Sequence, residues 1–143
     1  MNAVKRAVLT LLLAVAPLGA AAFAAGDPVA GKTVFNKCSQ CHQVGPTAQN
    51  ATGPVLNGII GQKAGEVPGY AFSDAMKNSN IVWDETTLPP FLKSPRKVVP
   101  GTKMAFVGLP KDQDIADVIA YLATFNLDGT TATPPASTPT PAQ

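Results

Sequence analysis

Cys38-Ser39-Gln40-Cys41-His42 is the stretch that decides how this chain folds. It contains the only two cysteines and the only histidine of the 143 residues. Two cysteines separated by two residues and followed directly by histidine form the pattern that attaches haem to a polypeptide. The two thiols can add to two vinyl groups of one haem, and the adjacent imidazole then faces the iron. We therefore expect Cys38 and Cys41 to hold one haem covalently and His42 to bind its iron.

Three other interpretations of the cysteine pair fit less well. Structural disulfides seldom span only two intervening residues. A thioredoxin-like redox pair belongs in a βαβ unit, which the sequence does not indicate. A structural zinc site has four ligands, whereas this motif offers three.

The first 24 residues have the pattern of a secretory signal peptide. Lys5 and Arg6 form a basic start, residues 7–16 are an apolar run, and Ala22-Phe23-Ala24 supplies the small residues of a cleavage site. The apolar run is shorter than an ordinary membrane span. We expect residues 1–24 to be removed on export, which suits haem attachment outside the cytoplasm. The alternative is an uncleaved N-terminal anchor.

The charge balance changes when this segment is lost. The chain has 11 Lys and Arg and 9 Asp and Glu, and loss of Lys5 and Arg6 leaves 11 − 2 = 9 against 9. Nucleic-acid-binding domains are usually basic, so we expect no nucleic-acid partner. Electrostatic recognition of any protein partner must then come from an uneven distribution of charge.

The C-terminal segment 128–143 differs from the rest of the chain. It has no aromatic or large aliphatic residue and is rich in Thr, Pro and Ala. Such a segment buries too little apolar surface to offset its ordering entropy. We predict a disordered tail there and a folded domain at 25–127.

Helix signals are clearest at the two ends of the domain. Asp27 and Pro28 suit the N-cap and first position of a helix that ends near Cys38. Near the other end, Asp112 is a candidate N-cap and Asp114 lies in the first turn. The spacing typical of one buried helix face follows at Ile115, Val118, Ile119 and Leu122.

The middle of the chain predicts loops and short helices. Residues 44–70 are rich in Gly and Pro and read as loops. Ser73 can cap a short helix through Met76, and residues 88–94 suggest another, ended by Pro95. Pro89 and Pro90 are expected to delay the start of that helix. The sequence therefore predicts an all-α fold of three to five short helices and long loops, in which a haem supplies much of the core.

The second axial ligand must come from another residue type, since His42 is the only histidine. Lysines and the methionines Met76 and Met104 are the candidates, because Met1 leaves with the signal peptide. A single methionine is often a core filler. Met104 is favoured over Met76 because it follows the rigid turn Pro100-Gly101-Thr102-Lys103.

Several further segments, in a fixed order, resemble those of class I cytochromes c, specifically the mitochondrial-like branch found in bacterial periplasms. The resemblance covers about residues 31–122. Its matching pieces are Gly31, Phe35, CSQCH at 38–42, TGPVL at 52–56, PGY at 68–70, IVW at 81–83, Pro95, PGTKM at 100–104 and IAYL at 119–122.

The resemblance implies roles for the ligands. His42 would be the proximal ligand, with its second ring nitrogen donating to the carbonyl of Pro54, which fixes the ring and raises its basicity. Met104 would be the distal ligand, and a His/Met pair raises the reduction potential.

The resemblance also implies roles for residues around the haem. Tyr70, Trp83 and Thr102 would hold the propionates. Gly31 and Tyr121 would mark the crossing of the first and last helices. For Trp83 and Tyr121 the simpler interpretation is core packing.

This chain departs from the family pattern at four positions. Phe91 and Phe72 stand where many relatives have tyrosine, Met76 replaces an asparagine near the haem, and Gln62 replaces an arginine near a propionate. These changes keep the ligands and remove polar groups around the haem.

The resemblance implies a soluble, monomeric, periplasmic carrier of single electrons that exchanges them at the exposed haem edge. Its expected partners have acidic docking sites, such as a membrane quinol–cytochrome c oxidoreductase and an oxidase or a photosynthetic reaction centre. We expect six cations to lie around the haem edge and three acids of the last helix to lie away from it. The cations are Lys32, Lys37, Lys93, Arg96, Lys97 and Lys103, and the acids are Asp112, Asp114 and Asp117.

Two other functional classes remain possible from the sequence. A small peroxidase or gas-binding protein would need an open iron position and a distal acid–base group, and no second histidine is available for that role. A domain detached from a larger oxidoreductase is weakly supported by the C-terminal segment.

Overall fold

The computed structural model describes residues 25–132, which form five helices joined by long loops. The helices are α1 Pro28–Phe35, α2 Asp74–Lys77, α3 Leu88–Lys93, α4 Pro95–Val98 and α5 Asp112–Leu122. Strand pairing in this range is limited to the isolated bridges Lys63–Val82 and Phe125–Thr131. The predicted all-α class is confirmed. No helix within 25–132 has the length and apolar character needed to span a membrane, and the signal-peptide prediction lies outside these residues.

Helices α1 and α5 pack against each other at a glycine. A Cβ atom on Gly31 would lie 1.9 Å from the backbone oxygen of Asp117 and 2.8 Å from the Cβ of Tyr121. No side chain fits at that distance, so only glycine permits this approach. Beside it, the rings of Phe35 and Tyr121 lie 5.4 Å apart. The crossing point predicted at Gly31 and Tyr121 is therefore present.

Helix α5 starts differently from the prediction. Ile115, Val118 and Leu122 form its buried face, as expected from their spacing. The N-cap is Lys111, however, and Asp112 is the first helical residue, so the predicted Asp112 cap is wrong. The Asp112 carboxylate binds the ammonium of Lys93 instead, while its charge still suits the positive end of the helix.

The two short helices α3 and α4 show how proline positions matter. Helix α3 begins at Leu88, so the expected late start is wrong. Pro89 and Pro90 lie in its first turn, where backbone N–H groups have no helical partner to lose. Pro95 follows the end of α3, as predicted, but it also opens α4, a helix that the sequence did not predict.

Two predicted caps are present in the structure. The Asp27 side chain accepts a hydrogen bond from the N–H of Val29 at 2.9 Å. The Ser73 hydroxyl oxygen accepts from the N–H of Met76 at 3.1 Å and starts α2.

The C-terminal turn extends beyond the predicted domain boundary. Ala132 donates a backbone hydrogen bond to Thr124 at 2.7 Å, and the Asp128 carboxylate accepts from the N–H and hydroxyl of Thr130. Local polar contacts thus hold residues 128–132, which the sequence analysis assigned to the tail because they lack apolar side chains. The rest of the predicted tail, 133–143, lies outside the described residues.

Candidate functional site

A cavity of about 320 Å³ lies among the helices and brings all the predicted site residues together. Side chains of α3 form one part of its lining, and Val118 and Leu122 of α5 form another. The eight residues assigned from the sequence all line it: Cys38, Cys41, His42, Pro54, Tyr70, Trp83, Thr102 and Met104. Residues that are distant in sequence thus line one largely apolar cavity that is partly open to solvent.

The cysteine segment continues from α1 as a series of tight turns. The Cys38 N–H donates to Phe35, and the His42 N–H donates to Cys38 at 2.9 Å. Both cysteines are free thiols. Burial raises the pKa of Cys38, the neighbouring Cys41 adds to this, and Lys37 opposes it. The turns therefore place two thiols and one imidazole on the same side of the cavity.

His42 is held in one orientation by the backbone. Its Nδ1 lies 2.7 Å from the carbonyl oxygen of Pro54, so the predicted hydrogen bond is present. Since a carbonyl can only accept, Nδ1 carries the proton and Nε2 keeps its lone pair. Burial lowers the pKa of His42, and the hydrogen bond to Pro54 partly offsets this. The ring is thus neutral near pH 7, the form that binds a metal.

Gly53 is a site residue to which the sequence analysis gave no role. A Cβ atom there would lie 2.5 Å from Cε1 of His42 and 2.7 Å from its Nδ1. The Gly53 N–H also donates to Cys41 at 2.8 Å. The position of Gly53 directly before Pro54 could have indicated this role. The loop must come close to the His42 ring for the Pro54 carbonyl to accept its hydrogen bond.

The loop that carries Gly53 and Pro54 is tied to a second loop. The side chain of Asn50 accepts from the N–H of Val55 and donates to the carbonyl of Pro68, both at 2.9 Å. The Tyr70 hydroxyl donates to the carbonyl of Thr52 at 2.6 Å. Tyr70, assigned to a propionate from the sequence, therefore also fixes the loop beside His42.

Met104 reaches the cavity from a segment that packs on α2. A Cβ atom on Gly101, at φ +90°, would lie 3.2 Å from the Cβ of Ala75. The Thr102 hydroxyl accepts from the N–H of Met104 at 3.2 Å, and the Lys103 ammonium donates to Ala71 at 3.1 Å. Met76 of α2 lines the same cavity, so both candidate methionines face it.

The surroundings of the two methionines are apolar. Trp83 and Phe91 are buried with ring centres 4.7 Å apart, and Phe72 packs edge-on against Tyr70. Three of the four departures from the family pattern, Phe72, Met76 and Phe91, line the cavity. The fourth, Gln62, lines a separate pocket of about 410 Å³.

The acids of α5 do not lie where the sequence analysis placed them. Asp114 pairs with Lys37 at 3.4 Å, and Asp112 pairs with Lys93, because the first turn of α5 lies beside α1 and α3. Asp117 is buried and accepts hydrogen bonds from the N–H of Asp27 and the amide of Gln113, both at 2.8 Å. The predicted separation from the cations is therefore wrong for Asp112 and Asp114, whereas Asp117 has no cationic partner within the described residues.

A family model described as cytochrome c matches residues 28–126. The chain belongs to the cytochrome c family. It is 56% identical over 124 residues to cytochrome c2 of Rhodomicrobium vannielii, covering 87% of this chain and 97% of that protein. It is 52% identical to cytochrome c2 of Rhodoblastus acidophilus, covering 73% of this chain and 98% of that one. The solved structure of cytochrome cH from Methylobacterium extorquens is similar, with a TM-score of 0.66, 47% identity, and coverage of 69% of this chain and 99% of that chain.

Membership of this family confirms the resemblance read from the sequence. The chain is a bacterial class I cytochrome c that contains one covalently bound haem c with its iron and carries electrons; it is not an enzyme. The residues present fit this group. The cavity offers two free thiols, a neutral imidazole and a thioether within a largely apolar lining.

Proposed function

We propose that this cytochrome shuttles single electrons between redox proteins of the bacterial periplasm, with Cys38 and Cys41 as the haem attachment points and His42 and Met104 as the axial ligands. The observation that carries the proposal is the convergence of all these side chains on one cavity. The bound haem supplies a one-electron couple at its iron.

The protein's own part begins with His42. The Pro54 carbonyl holds the Nδ1 proton, which leaves Nε2 as the ligand atom and raises its basicity. The absent side chain at Gly53 lets the loop lie against the ring. Together they keep the imidazole in one orientation during electron transfer, which keeps the rearrangement between redox states small.

The opposite ligand is a soft thioether in an apolar setting. A Met104 thioether would favour the reduced iron over the oxidised iron, and a cavity lining that includes the buried Phe91 and Trp83 would disfavour the additional charge of the oxidised form. Both effects raise the reduction potential. If His42 and Met104 both bind the iron, no iron position would be open to a substrate, and electrons would be exchanged at the haem edge.

Tyr70, Trp83 and Thr102 are proposed to hold the propionates. The Tyr70 hydroxyl already donates its proton to the carbonyl of Thr52, whereas the Thr102 hydroxyl accepts from the N–H of Met104 and keeps its own proton for a propionate. The Trp83 indole makes no hydrogen bond to protein within 25–132, so its N–H is free to donate. We therefore assign Trp83 and Thr102 as the two propionate donors whose protons are not already used within the described residues.

The cellular setting follows from the same proposal. Residues 1–24 direct export and are removed, and the mature monomer moves between a membrane quinol–cytochrome c oxidoreductase and an oxidase or photosynthetic reaction centre. The support is the similarity to cytochromes c2 together with the signal-peptide pattern of residues 1–24.

Acid–acetone extraction tests the covalent attachment. Thioether bonds survive this treatment, so the colour should stay with the precipitated protein. The double variant Cys38→Ser, Cys41→Ser should release its haem into the organic layer, and each single variant should retain it through one bond. Free haem extracted from the unmodified protein would refute the assignment.

A further inference from the structure

One side chain joins the two ends of the loop that carries Gly53 and Pro54. We call this segment, residues 45–57, the Pro54 loop. The side-chain oxygen of Asn57 accepts from the N–H of Gly45 at 2.8 Å, and its amide nitrogen donates to the carbonyl of Gly45 at 2.9 Å. Asn57 is half-buried. These two hydrogen bonds to one residue fix how far apart the loop ends lie.

The C-terminal turn, residues 125–132, lies against both ends of the Pro54 loop. A Cβ atom on Gly129 would lie 2.1 Å from the carbonyl oxygen of Gly45, so the turn contacts the same carbonyl group that the asparagine binds. Just after the other end of the loop, the N–H of Gly58 donates to the carbonyl of Phe125 at 3.1 Å. The turn therefore holds the two ends of the loop from outside.

The C-terminal turn is itself fixed to the end of α5. The rings of Tyr121 and Phe125 lie 5.2 Å apart in an edge-on arrangement, and Ala132 donates to the carbonyl of Thr124 at 2.7 Å. Leu127 at the tip of the turn is 71% exposed, so backbone contacts rather than apolar burial hold the tip in place. The Pro54 loop is thus connected through the turn to α5.

The position of this loop matters for the axial histidine. The Pro54 carbonyl accepts from Nδ1 of His42 at 2.7 Å, and such a hydrogen bond raises the basicity of the other ring nitrogen. Asn50 fixes the middle of the loop through its bonds to Val55 and Pro68. The distance from Pro54 to the ring then depends on where the two loop ends are held.

We infer that Asn57 is a positioning residue for His42: together with the C-terminal turn, it fixes the ends of the Pro54 loop and so sets the length of the hydrogen bond from His42 to Pro54. The inference rests on the proposed role of His42 as an iron ligand. Asn57 lines the separate pocket of about 410 Å³ rather than the haem cavity, so it acts only through the loop. A looser loop should lengthen the hydrogen bond, make the imidazole less basic and raise the midpoint potential.

The first test is Asn57→Ala, measured by NMR on the ¹⁵N-labelled reduced holoprotein. The amides of Gly53 and Val55, whose own hydrogen-bond acceptors are unchanged, should exchange about tenfold faster relative to those of α5. The His42 Nδ1 proton signal should move upfield because its hydrogen bond is longer, and the midpoint potential should rise. Asn57→Asp keeps the acceptor and lacks the donor. It should change each quantity in the same direction, and it serves as the test if Asn57→Ala does not fold.

Thr87→Ala is the matched control. The Thr87 hydroxyl also binds two backbone groups, because it accepts from the N–H of Asp84 at 2.9 Å and donates to the carbonyl of Val82 at 2.6 Å. Its removal takes the same number of backbone hydrogen bonds from a different loop. The relative exchange rates of the Pro54 loop and the His42 signal should therefore stay as in the parent. Equal His42 shifts in Thr87→Ala and Asn57→Ala would overturn the inference.

The second test moves the C-terminal turn without changing the asparagine. Gly129→Ala places a methyl group against the Gly45 carbonyl and should push the turn away from the loop. The Pro54-loop amides should exchange about threefold faster, and the His42 signal should move upfield. Gly61→Ala matches the backbone strain, with φ +87° against +78° for Gly129, and has no atom within 4 Å of its new Cβ. It should leave the loop unchanged. If Gly129→Ala also left the loop unchanged, the turn would not hold it and the inference would be wrong.

Two outcomes separate this inference from the proposed function. Faster loop exchange with an unshifted His42 signal and an unchanged midpoint would mean that the loop ends do not position the ring. The inference would then fail while the carrier function stood. If instead the unmodified holoprotein gave no reversible one-electron wave in voltammetry, the proposed function would fail. The exchange rates and the Nδ1 signal would still decide whether Asn57 positions the ring.

Discussion

His42 and Met104 line the cavity on two segments that hold their side chains by different kinds of contact. We call these segments, with the residues around them, the His42 wall and the Met104 wall. On the His42 wall the ring is fixed by a hydrogen bond of 2.7 Å to Pro54 and by close contact with Gly53. On the Met104 wall the side chain is half-buried and packs against the apolar core cluster that includes Phe91, and the Thr102 hydroxyl accepts from the backbone N–H of Met104. A hydrogen bond positions the His42 ring. Apolar packing and the hydrogen-bonded turn before it position the Met104 side chain.

This difference predicts which substitutions should disturb the site. Hydrogen bonds and a missing Cβ define one ring position within a few tenths of an ångström, so small changes on the His42 wall should disturb geometry. An apolar wall accepts a substitution of similar volume at a lower cost. On the Met104 wall, the largest effects should come from substitutions that remove the sulfur atom or introduce a polar group.

The largest effect is expected for Met104→Ala. Loss of the thioether should open the distal position while His42 and the cysteines keep the haem. Truncation of this half-buried side chain should cost about 2 kcal/mol of unfolding free energy, the lower end of the range for buried methionines. The ferric sulfur–iron absorption band should vanish, the potential should fall, and the reduced protein should bind carbon monoxide rapidly. Met76→Ala is the matched control and should keep the band. Loss of the band in Met76→Ala alone would make Met76 the ligand.

Gly53→Ala is expected to have an intermediate effect. The new methyl group would lie 2.5 Å from the His42 ring, and relief of that contact should cost about 1–3 kcal/mol in guanidinium unfolding of the holoprotein. The NMR signal of the His42 Nδ1 proton should shift, because the ring must move relative to Pro54. In Gly61→Ala no atom lies within 4 Å of the new Cβ, and the cost is backbone strain at φ +87°, about 1–2 kcal/mol. An unshifted His42 signal in Gly53→Ala would contradict the rigid-wall account.

Phe91→Tyr should have the smallest effect and tests the apolar wall. A hydroxyl there would donate a weak hydrogen bond to the Met104 sulfur and make it a poorer ligand for ferric iron. The ferric Met–iron band should therefore disappear at lower pH than in the parent, as Lys97 or Lys103 displaces the sulfur more readily. The midpoint potential should rise modestly. Expressed as free energy, the rise should be well under ~1.4 kcal/mol, which corresponds to a tenfold change in an equilibrium constant.

The control for this variant is Phe72→Tyr, which adds a hydroxyl to another ring that lines the cavity and lies beside Tyr70. A pH titration of the band in all three proteins decides the matter. If Phe91→Tyr retains its Met ligand to higher pH than the parent, the explanation given for Phe91 is wrong.

Local signals in the sequence predicted local structure well. The caps at Asp27 and Ser73 and the buried face of α5 depend on contacts within one or two turns, so residue type and spacing were enough. Helix α4 was missed because a four-residue helix after Pro95 has too few residues to show a period. Asp112 was misassigned because its choice between capping α5 and pairing with Lys93 depends on a residue 19 positions away.

The sequence by itself determined the cofactor, the fold class and the residues that converge on the site, because the haem attachment motif has one chemical use that suits it and the segments around it follow the order of the cytochrome c family. Only the tertiary structure decided which cations are paired and how closely Gly53 approaches His42. Pairing and close contact depend on distances between segments that are far apart in the chain, such as Lys37 and Asp114. Those distances are set by the packing of α5 against α1, which local sequence patterns do not encode.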